Sequence, residues 1–538
     1  MASAGPTNPS PIPAASSDID IERGGSISNH ITSDAEKEPM KNVGVVEEKL
    51  EQGVSEAEDP YFVSPPSSLH ACKLTSVQVT WDGENDPLNP FNWPRRVKWA
   101  VTLLTSLGGM VTLMSSTMMA PALPAISQDL HTDDATTQLT LSIFVLSFAI
   151  GPMIFAPMTE VFGRKPVWLL GGCFYILWNT VCGFSKTNGV MIAGRFFAGL
   201  GASVEYTIGT PVLSDCWRRE QRGHSFAIAT FLPLFGPALG PILGGVITGS
   251  IGWRWLFWVL SIFYAVLMLS AFFFFPETYA GAILHRKAKQ LRKHTGREYS
   301  TEHERESQSL SHLIAISLAR PCRLLLTQPL IQLMSFFLAY NYGILYIVQS
   351  TLATLWIEHY KQSVSVSGLH YIAIAGGCIF ASLVGARFMD RVWQHLKARA
   401  KGETQPEYRV PLMIPGAILI PVGLFIYGWT AQAHAFWILP DIGIAIFSCG
   451  IIVGTQAMQA YVMDSFLKHV ASASAASQLL RSLAGFAFPL FAPKMYQTLG
   501  YGWGNSLLAF MFIAIGVPAP LILWKYGAKL RAKGKPQW

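Results

Sequence analysis

Between Trp99 and Tyr526 the apolar residues gather into long, nearly unbroken blocks set apart by short polar stretches. Twelve blocks stand out, at 99–119, 137–157, 167–184, 190–212, 224–248, 253–275, 328–350, 366–389, 411–430, 435–458, 473–495 and 504–526. Blocks of about 18–24 apolar residues have the length that crosses the hydrocarbon core of a bilayer as a helix. Strands of a membrane barrel would be half as long and would alternate apolar with polar positions, which these blocks do not. The pattern predicts an all-α, multi-pass membrane protein. Ahead of the blocks, "MASAGPTNPSPIPAASSDIDIERGG" and the rest of residues 1–90 are rich in Ser, Pro, Glu, Asp and Gly, a composition that leaves too little to bury. No basic stretch followed by an apolar run appears there, so no cleaved signal peptide is expected.

The blocks fall into two sets of six around a basic loop of about fifty residues, and three features recur in order. "APMTEVFGRK" (156–165) follows the second block and "ARFMDR" (386–391) the eighth; "LSDCW" (213–217) ends the fourth and "VMDSF" (462–466) the tenth; "GWRW" (252–255) precedes the sixth and "GYGW" (500–503) the twelfth. Asp215 lies 37 residues before Gly252, and Asp464 lies 36 before Gly500. Paired six-span halves with a site between them describe a secondary transporter. The expected organisation is a disordered tail (1–90), a first bundle (91–275), a central loop (276–327), a second bundle (328–526) and a short tail (527–538).

Charge sets the orientation. The chain carries a formal net charge of +7. Arg164 and Lys165, Arg218, Arg219 and Arg222, the run "HRKAKQLRKHTGR" (285–297), the stretch Arg391 to Arg409 and the stretch Lys525 to Lys535 all fall on one side of an alternating twelve-span map. Loops on the other side, such as "AQAHAF" (431–436), are almost free of Lys and Arg. The positive-inside rule then places both termini and the 276–327 loop in the cytoplasm; the cell membrane is the expected location, with an internal membrane as the alternative. The basic loops read as topology signals, not as a nucleic-acid surface. Seven scattered cysteines show neither paired nor zinc-type spacing. No phosphate-binding G-x-x-x-x-G-K-[ST], metal-binding H-E-x-x-H or nucleophile elbow G-x-S-x-G occurs, so neither an ATPase, a metal site nor a hydrolase is expected.

Several stretches resemble one family. "DPLNPFNWPRRVKW" (86–99) resembles the pre-membrane signature of the fungal twelve-spanner drug:proton antiporters of the major facilitator superfamily. "PETYAGAILHRKAKQLRKHTG" (276–296) resembles their sixth-span exit, and "GFAFPLFAPKMYQTLGYGWGNSLLAF" (485–510) their last two spans. The resemblance covers about residues 82–530. It implies two pseudo-symmetric six-helix bundles and export of a small organic molecule by alternating access, with proton-coupled uptake, or a membrane sensor that binds without transporting, as the alternatives. No cofactor is implied beyond the proton gradient, and the partners are a small-molecule substrate, protons and lipid, with the chain acting as a monomer.

The family's motifs then land on particular residues. "FLPLFGPALGPILGG" (231–245) resembles the fifth-span antiporter motif G-P-x-x-G-G. Pro233, Pro237 and Pro241 recur every four residues, as do Gly236, Gly240 and Gly244, with Gly245 closing the motif. A step of four turns 400° along a helix, so each set forms a slowly drifting stripe. The glycine stripe admits a close helix neighbour and the proline stripe bends the span; the resemblance implies a seal against leak, while a kinked packing helix is the plainer reading. Glu160, Gly163 and Arg164, in "APMTEVFGRK", resemble the loop signature, with Glu160 where Asp is usual; with Asp215 they are expected to form a cytoplasmic ion-pair latch, and Asp390, Arg391 and Asp464 its second-half counterpart.

Charges inside spans are costly and therefore informative. Arg195 in "GRFFAGLGA" matches a fourth-span motif that the family associates with proton coupling. Glu205, ten residues on and about 15 Å along the helix, is read from this chain alone as a proton carrier, a holder of cationic substrate or a structural hydrogen-bonding group. A buried carboxylate there inclines the cargo toward neutral or cationic compounds. Tyr340, Asn341, Tyr342 and Tyr346 in the seventh span, Gln456 and Gln459 in the tenth, and Arg481 in the eleventh are the candidate cavity residues, with pairing to Asp464 the alternative for Arg481.

Overall fold

The computed structural model describes residues 77–533, apart from 219–221, 297–298, 302–308, 400–404 and 467–469. Residues 1–76 of the expected tail and the last five residues of the chain lie outside the described residues. Eleven helices among the described residues are long and apolar enough to cross a bilayer. The fourth expected crossing is missing from that set because Ser203 divides it into Asn188–Ala202 and Val204–Cys216, each too short alone. The helix Val470–Gly516 carries two crossings that meet at Gly500, whose φ of 73° suits glycine. Leu310–Thr327 is apolar enough, yet it carries Arg320 and Arg323, is scarcely buried and lies in the basic linker between the halves. Twelve crossings result.

Numbered in chain order, the helices of the first half are α1 (Arg95–Thr117), α2 (Leu123–Asp129), α3 (Asp134–Phe162), α4 (Arg164–Gly183), α5 (Asn188–Ala202), α6 (Val204–Cys216), α7 (Arg222–Ser250) and α8 (Arg254–Phe274). The linker holds α9 (Ala280–Thr295) and α10 (Leu310–Thr327). The second half holds α11 (Pro329–Thr354), α12 (Val364–Leu369), α13 (Tyr371–Arg399), α14 (Met413–Gln432), α15 (Ile438–Ser465), α16 (Val470–Gly516) and α17 (Pro518–Lys533).

The internal repeat seen in the sequence is also a repeat of packing. Span one lies on span five, two on four, and three on six; in the second half, seven lies on eleven, eight on ten, and nine on twelve. Glycine sets several of these approaches. Span four threads between its neighbours: a methyl group at Gly199 would lie 2.5 Å from the Phe144 carbonyl oxygen of span two, and one at Gly201 would lie 2.6 Å from the Tyr175 nitrogen of span three. The halves meet along span two against eleven and span five against eight.

At the basic face a single glycine makes the tight turn between spans two and three. The helix runs to Phe162, restarts at Arg164, and Gly163 alone makes the turn with a φ of 96°. The pre-membrane segment is also ordered: Val77–Gln78 (β1) pairs in parallel with Tyr299–Ser300 (β2), and Lys287 on α9 binds Asp82 at 2.6 Å and Asp86 at 3.7 Å. The expected loop and the end of the expected tail thus form a small collar on that face.

Candidate functional site

At mid-membrane, groups from both halves converge. Tyr206, in the first turn after the break at Ser203, keeps 42% of its surface accessible although it sits within a span. Its ring lies 5.2 Å from that of Phe148 on span two, and its electrostatic neighbours are Tyr342, Tyr346 and Arg481 of the other half. Arg481 stacks 4.0 Å over the Tyr342 ring, donates from Nη1 to the Tyr342 hydroxyl at 2.9 Å and from Nη2 to Gln478. Its Nε is buried without a partner among the described residues. Tyr346 lies beside Ser116 of span one and against Gly485 of span eleven, whose other neighbour is Val145. The result is an aromatic cluster where the halves meet, accessible at Tyr206, with one guanidinium packed into it.

Glu205, adjacent to Tyr206 in sequence, faces the other way. Its Oε1 accepts from Trp168 Nε1 at 2.6 Å and from the Tyr264 hydroxyl at 2.5 Å. The carboxylate presses on Gly108 of span one, where a side chain would collide with it, and Oε2 is buried without a hydrogen-bond partner. Among the described residues no cation pairs with it. Arg195 is likewise buried, held by the carbonyls of Thr140 (3.3 Å) and Ser115 (3.1 Å) and by the face of Phe144 at 4.3 Å. Both charges are therefore enclosed within the first bundle and do not touch each other.

The fifth-span motif works on two sides. A methyl group at Gly236 would lie 2.7 Å from the Met110 carbonyl, and one at Gly240 would lie 2.8 Å from that of Met114; at Gly244 it would strike the carbonyl of Met118. The glycine stripe thus admits the backbone of span one. Pro233 packs on Gly109 of the same span. Around the helix, a methyl group at Gly245 would lie 2.6 Å from the Val364 carbonyl oxygen, Ser365 Oγ donates to the Gly245 carbonyl at 3.3 Å, and Gly368 rests on the carbonyl of Pro241. This second edge joins the two halves at the face opposite the basic one, where Gln497 also reaches Asp134 at 3.4 Å. A cavity of about 420 Å³ opens at that face, lined by residues of both halves including Asp134, Gln138, Glu358 and Gln497.

The basic face carries one ion-pair cluster in each half. Arg164 Nε binds Asp215 Oδ2 at 3.4 Å, its Nη1 donates to Thr159 at 2.6 Å, and its guanidinium covers the Tyr279 ring at 4.7 Å. Glu277, which the sequence reading did not single out, completes the cluster by accepting from the backbone nitrogens of Arg164 (2.8 Å) and Lys165 (3.2 Å). A carboxylate at a helix N-terminus meets unpaired N–H groups and the positive end of the dipole. The signal was available: Glu277 is the acid of the "PET" tripeptide that ends span six.

Other expectations are corrected. Glu160 is exposed on the last turn of α3 and makes no ion pair with a described residue: Thr159 is the side chain that meets Arg164, and the next residue is turned about 100° away around the helix. Asp464 pairs with Arg409 at 3.0 Å, not with Arg391, which is exposed, and not with Arg481. The side chain of Asp390 lies outside the described residues. Tyr340 turns into the second bundle, donating to the Leu508 carbonyl at 3.0 Å between Phe488 and Phe512. Asn341 is fully buried near Gly454 of span ten, with both amide atoms unpartnered. Gln456 reaches Ser382 of span eight at 3.5 Å, and Gln459 is exposed.

Comparison with known proteins settles the family. The model of the Major Facilitator Superfamily matches residues 105–489. The chain belongs to that superfamily. It is 40% identical over 501 residues to an uncharacterized transporter, C1529.01, of Schizosaccharomyces pombe, covering 93% of this chain and 98% of the relative. It is 39% identical to the efflux pump vrtL of Penicillium aethiopicum (90% and 97% covered) and 43% identical to the probable efflux pump mfs2 of Aspergillus flavus (77% and 99%). Among solved structures it resembles the proton:xylose symporter XylE (TM-score 0.58, 14% identity, 81% and 96% covered) and a bacterial homologue of the lysosomal transporter Spinster (0.59, 14%, 83% and 100%), a likeness of fold. The protein is a multi-pass secondary transporter of this superfamily and stands among transporters, not enzymes.

Proposed function

We propose that this major facilitator exports a small organic molecule in exchange for protons, with its basic face and both termini in the cytoplasm. The positive-inside distribution of Lys and Arg supports that orientation. The observation that carries the reading is the fifth span, whose Gly-Pro motif is fitted against span one on one edge and closes the halves against span eight on the other. A seal at the outer face, made of backbone-to-backbone contacts, opens or closes as a unit, as alternating access between two rigid bundles requires. The names of the efflux-pump relatives support the direction. Glu205 is the proton carrier of this scheme: a carboxyl with one unpartnered oxygen, in contact with spans one, three and six, feels any shift among them.

The sequence inclination toward neutral or cationic cargo rested on the buried carboxylate of Glu205. With Glu205 enclosed, Arg481 is the charge beside the aromatic rings, and the cargo it suits is a flat organic molecule bearing an acidic or strongly accepting group. Purified protein in liposomes tests both points with three probes: naphthalene sulfonate, neutral naphthamide and a naphthylmethyl trimethylammonium ion. Antiport predicts sulfonate movement into vesicles with an acidic lumen, reversed when the gradient is reversed, and at least about tenfold slower in Arg481→Gln, where a charged hydrogen bond is lost. Movement in the same direction as the protons would contradict export by exchange.

A further inference from the structure

His370 stands at a joint. Span eight is divided into Val364–Leu369 and Tyr371–Arg399, and His370 is the residue between them. Its buried ring is fixed on three sides: Nδ1 lies 2.7 Å from Asp441 Oδ2 on span ten, Nε2 lies 2.8 Å from Gln362 Oε1, and the ring stacks 3.6 Å over Trp356 at an interplanar angle of 11°. A neutral imidazole donates from one nitrogen and accepts at the other, whereas the imidazolium donates from both. Oxygen acceptors at both nitrogens fit the charged form. When the ring is neutral, the Gln362 amide has to turn and present its NH2 instead. Asp441 keeps its other oxygen, Oδ1, buried without a partner, so it relies on His370 for its countercharge. Leaving a buried carboxylate with a neutral partner is costly.

The surrounding elements contribute few competing groups. The turn before span eight supplies Glu358, His359, Tyr360 and Lys361; Tyr360 is an electrostatic neighbour of Asp441, and His359 is engaged with the Ala431 carbonyl and the ring of His434. Span nine supplies Tyr427, a second neighbour of Asp441. Residues 241–250 of span five, which pack on the far side of α12, contain no titratable side chain. Glu358 has Lys361 and Asp134 as its charged neighbours, which leaves His370 and Asp441 as the buried charged pair at this joint. Two residues away, Gly368 sits on the Pro241 carbonyl, and Ser365 binds that of Gly245.

We propose that His370 and Asp441 form a proton-binding site at the outer end of the second bundle, and that its protonation holds the outer turn of span eight in the closed seal against span five. Loss of the proton weakens the tie to span ten and frees Val364–Leu369 to leave span five. This site is separate from Glu205, which lies in the other bundle. The inference rests on the two-bundle fold and on the assignment of this face to the outside, not on the direction of transport or the nature of the cargo.

The test is a distance measurement that needs no substrate. Spin labels on Ser250→Cys and Val366→Cys, in full-length protein with its seven native cysteines replaced and held in nanodiscs, report the separation of spans five and eight by pulsed electron resonance. Histidines change charge between about pH 5 and 8, so the distributions are compared at about those two limits. The ratio of long to short distances is expected to rise at least about threefold from acid to alkali, a population shift of modest size. In His370→Asn and in Asp441→Asn, each checked for monodisperse folding, the two distributions are expected to coincide. A pH-independent distribution in the parent, a shift of opposite sign, or a shift that survives in both variants overturns the proposal. Absence of sulfonate flux would sink the export reading and leave this result untouched.

Discussion

Glu205 makes two hydrogen bonds through one oxygen and none through the other, so the isosteric Glu205→Gln can keep the Trp168 and Tyr264 contacts through its carbonyl oxygen. The variant is expected to fold with an unchanged melting temperature, to bind naphthalene sulfonate as the parent does, and to lose at least about tenfold in gradient-driven flux, since it has no proton to carry. Retained gradient-driven flux would remove Glu205 from the scheme. Much of this scale was legible in the sequence: charged residues inside apolar blocks are few, and Arg195, Glu205 and Arg481, with Asp215 just past the end of the fourth block, each stand at a defined place in the fold. Their partners were not legible. Helical periodicity fixes which residues share a face but not how a bundle is rotated about its own axis, so adjacent Glu205 and Tyr206 parted, one inward and one toward the aromatic cluster between the halves. The same ignorance of rotation put Tyr340 in the cavity and paired Asp464 with the wrong arginine.

Among the elements, span five has the least freedom. Gly244→Ala pushes a methyl group into the Met118 carbonyl of span one, and backbone cannot step aside as a side chain can. Overpacking of this kind costs about 1–3 kcal/mol, and thermal unfolding in detergent should show the loss, whereas Gly209→Ala, with open space around it, should not. The collar at the basic face responds to acid. Burial favours the neutral form of Asp86, but the backbone N–H groups of Asp82 and Leu88 and the Lys287 ammonium outweigh it and hold the carboxyl below its usual range. A lowered folded pKa means the stabilisation is full above the ordinary carboxylate value and is lost as pH falls through the lowered one. At neutral pH, Asp86→Asn should therefore speed amide exchange in Ala280–Thr295 several-fold, with the spans unaffected. The apolar blocks marked every crossing to within several residues. The tight turn at Gly163 was legible from its glycine; the break at Ser203 and the helix Leu310–Thr327 escaped notice, because each depends on which neighbour the backbone meets and not on hydropathy.

For the whole molecule, the near-equal spacings from Asp215 to Gly252 and from Asp464 to Gly500 correspond to matched packing, span for span, in the two halves. The seal at the face opposite the basic one joins elements related by that repeat, spans five and two of one half meeting eight and eleven of the other. Alternating access requires this seal to part in every cycle. A methyl group at Gly249 would lie 2.8 Å from Ser365 Oγ, so cysteines at the two positions bring their sulfurs within bonding range across the seam. Naphthalene sulfonate flux through Gly249→Cys/Ser365→Cys protein in liposomes, before oxidation, after it and again after reduction, asks directly whether the halves must separate there. Transport that stops on oxidation and returns on reduction is the predicted result; undiminished transport with the cross-link shown to be complete would contradict the account.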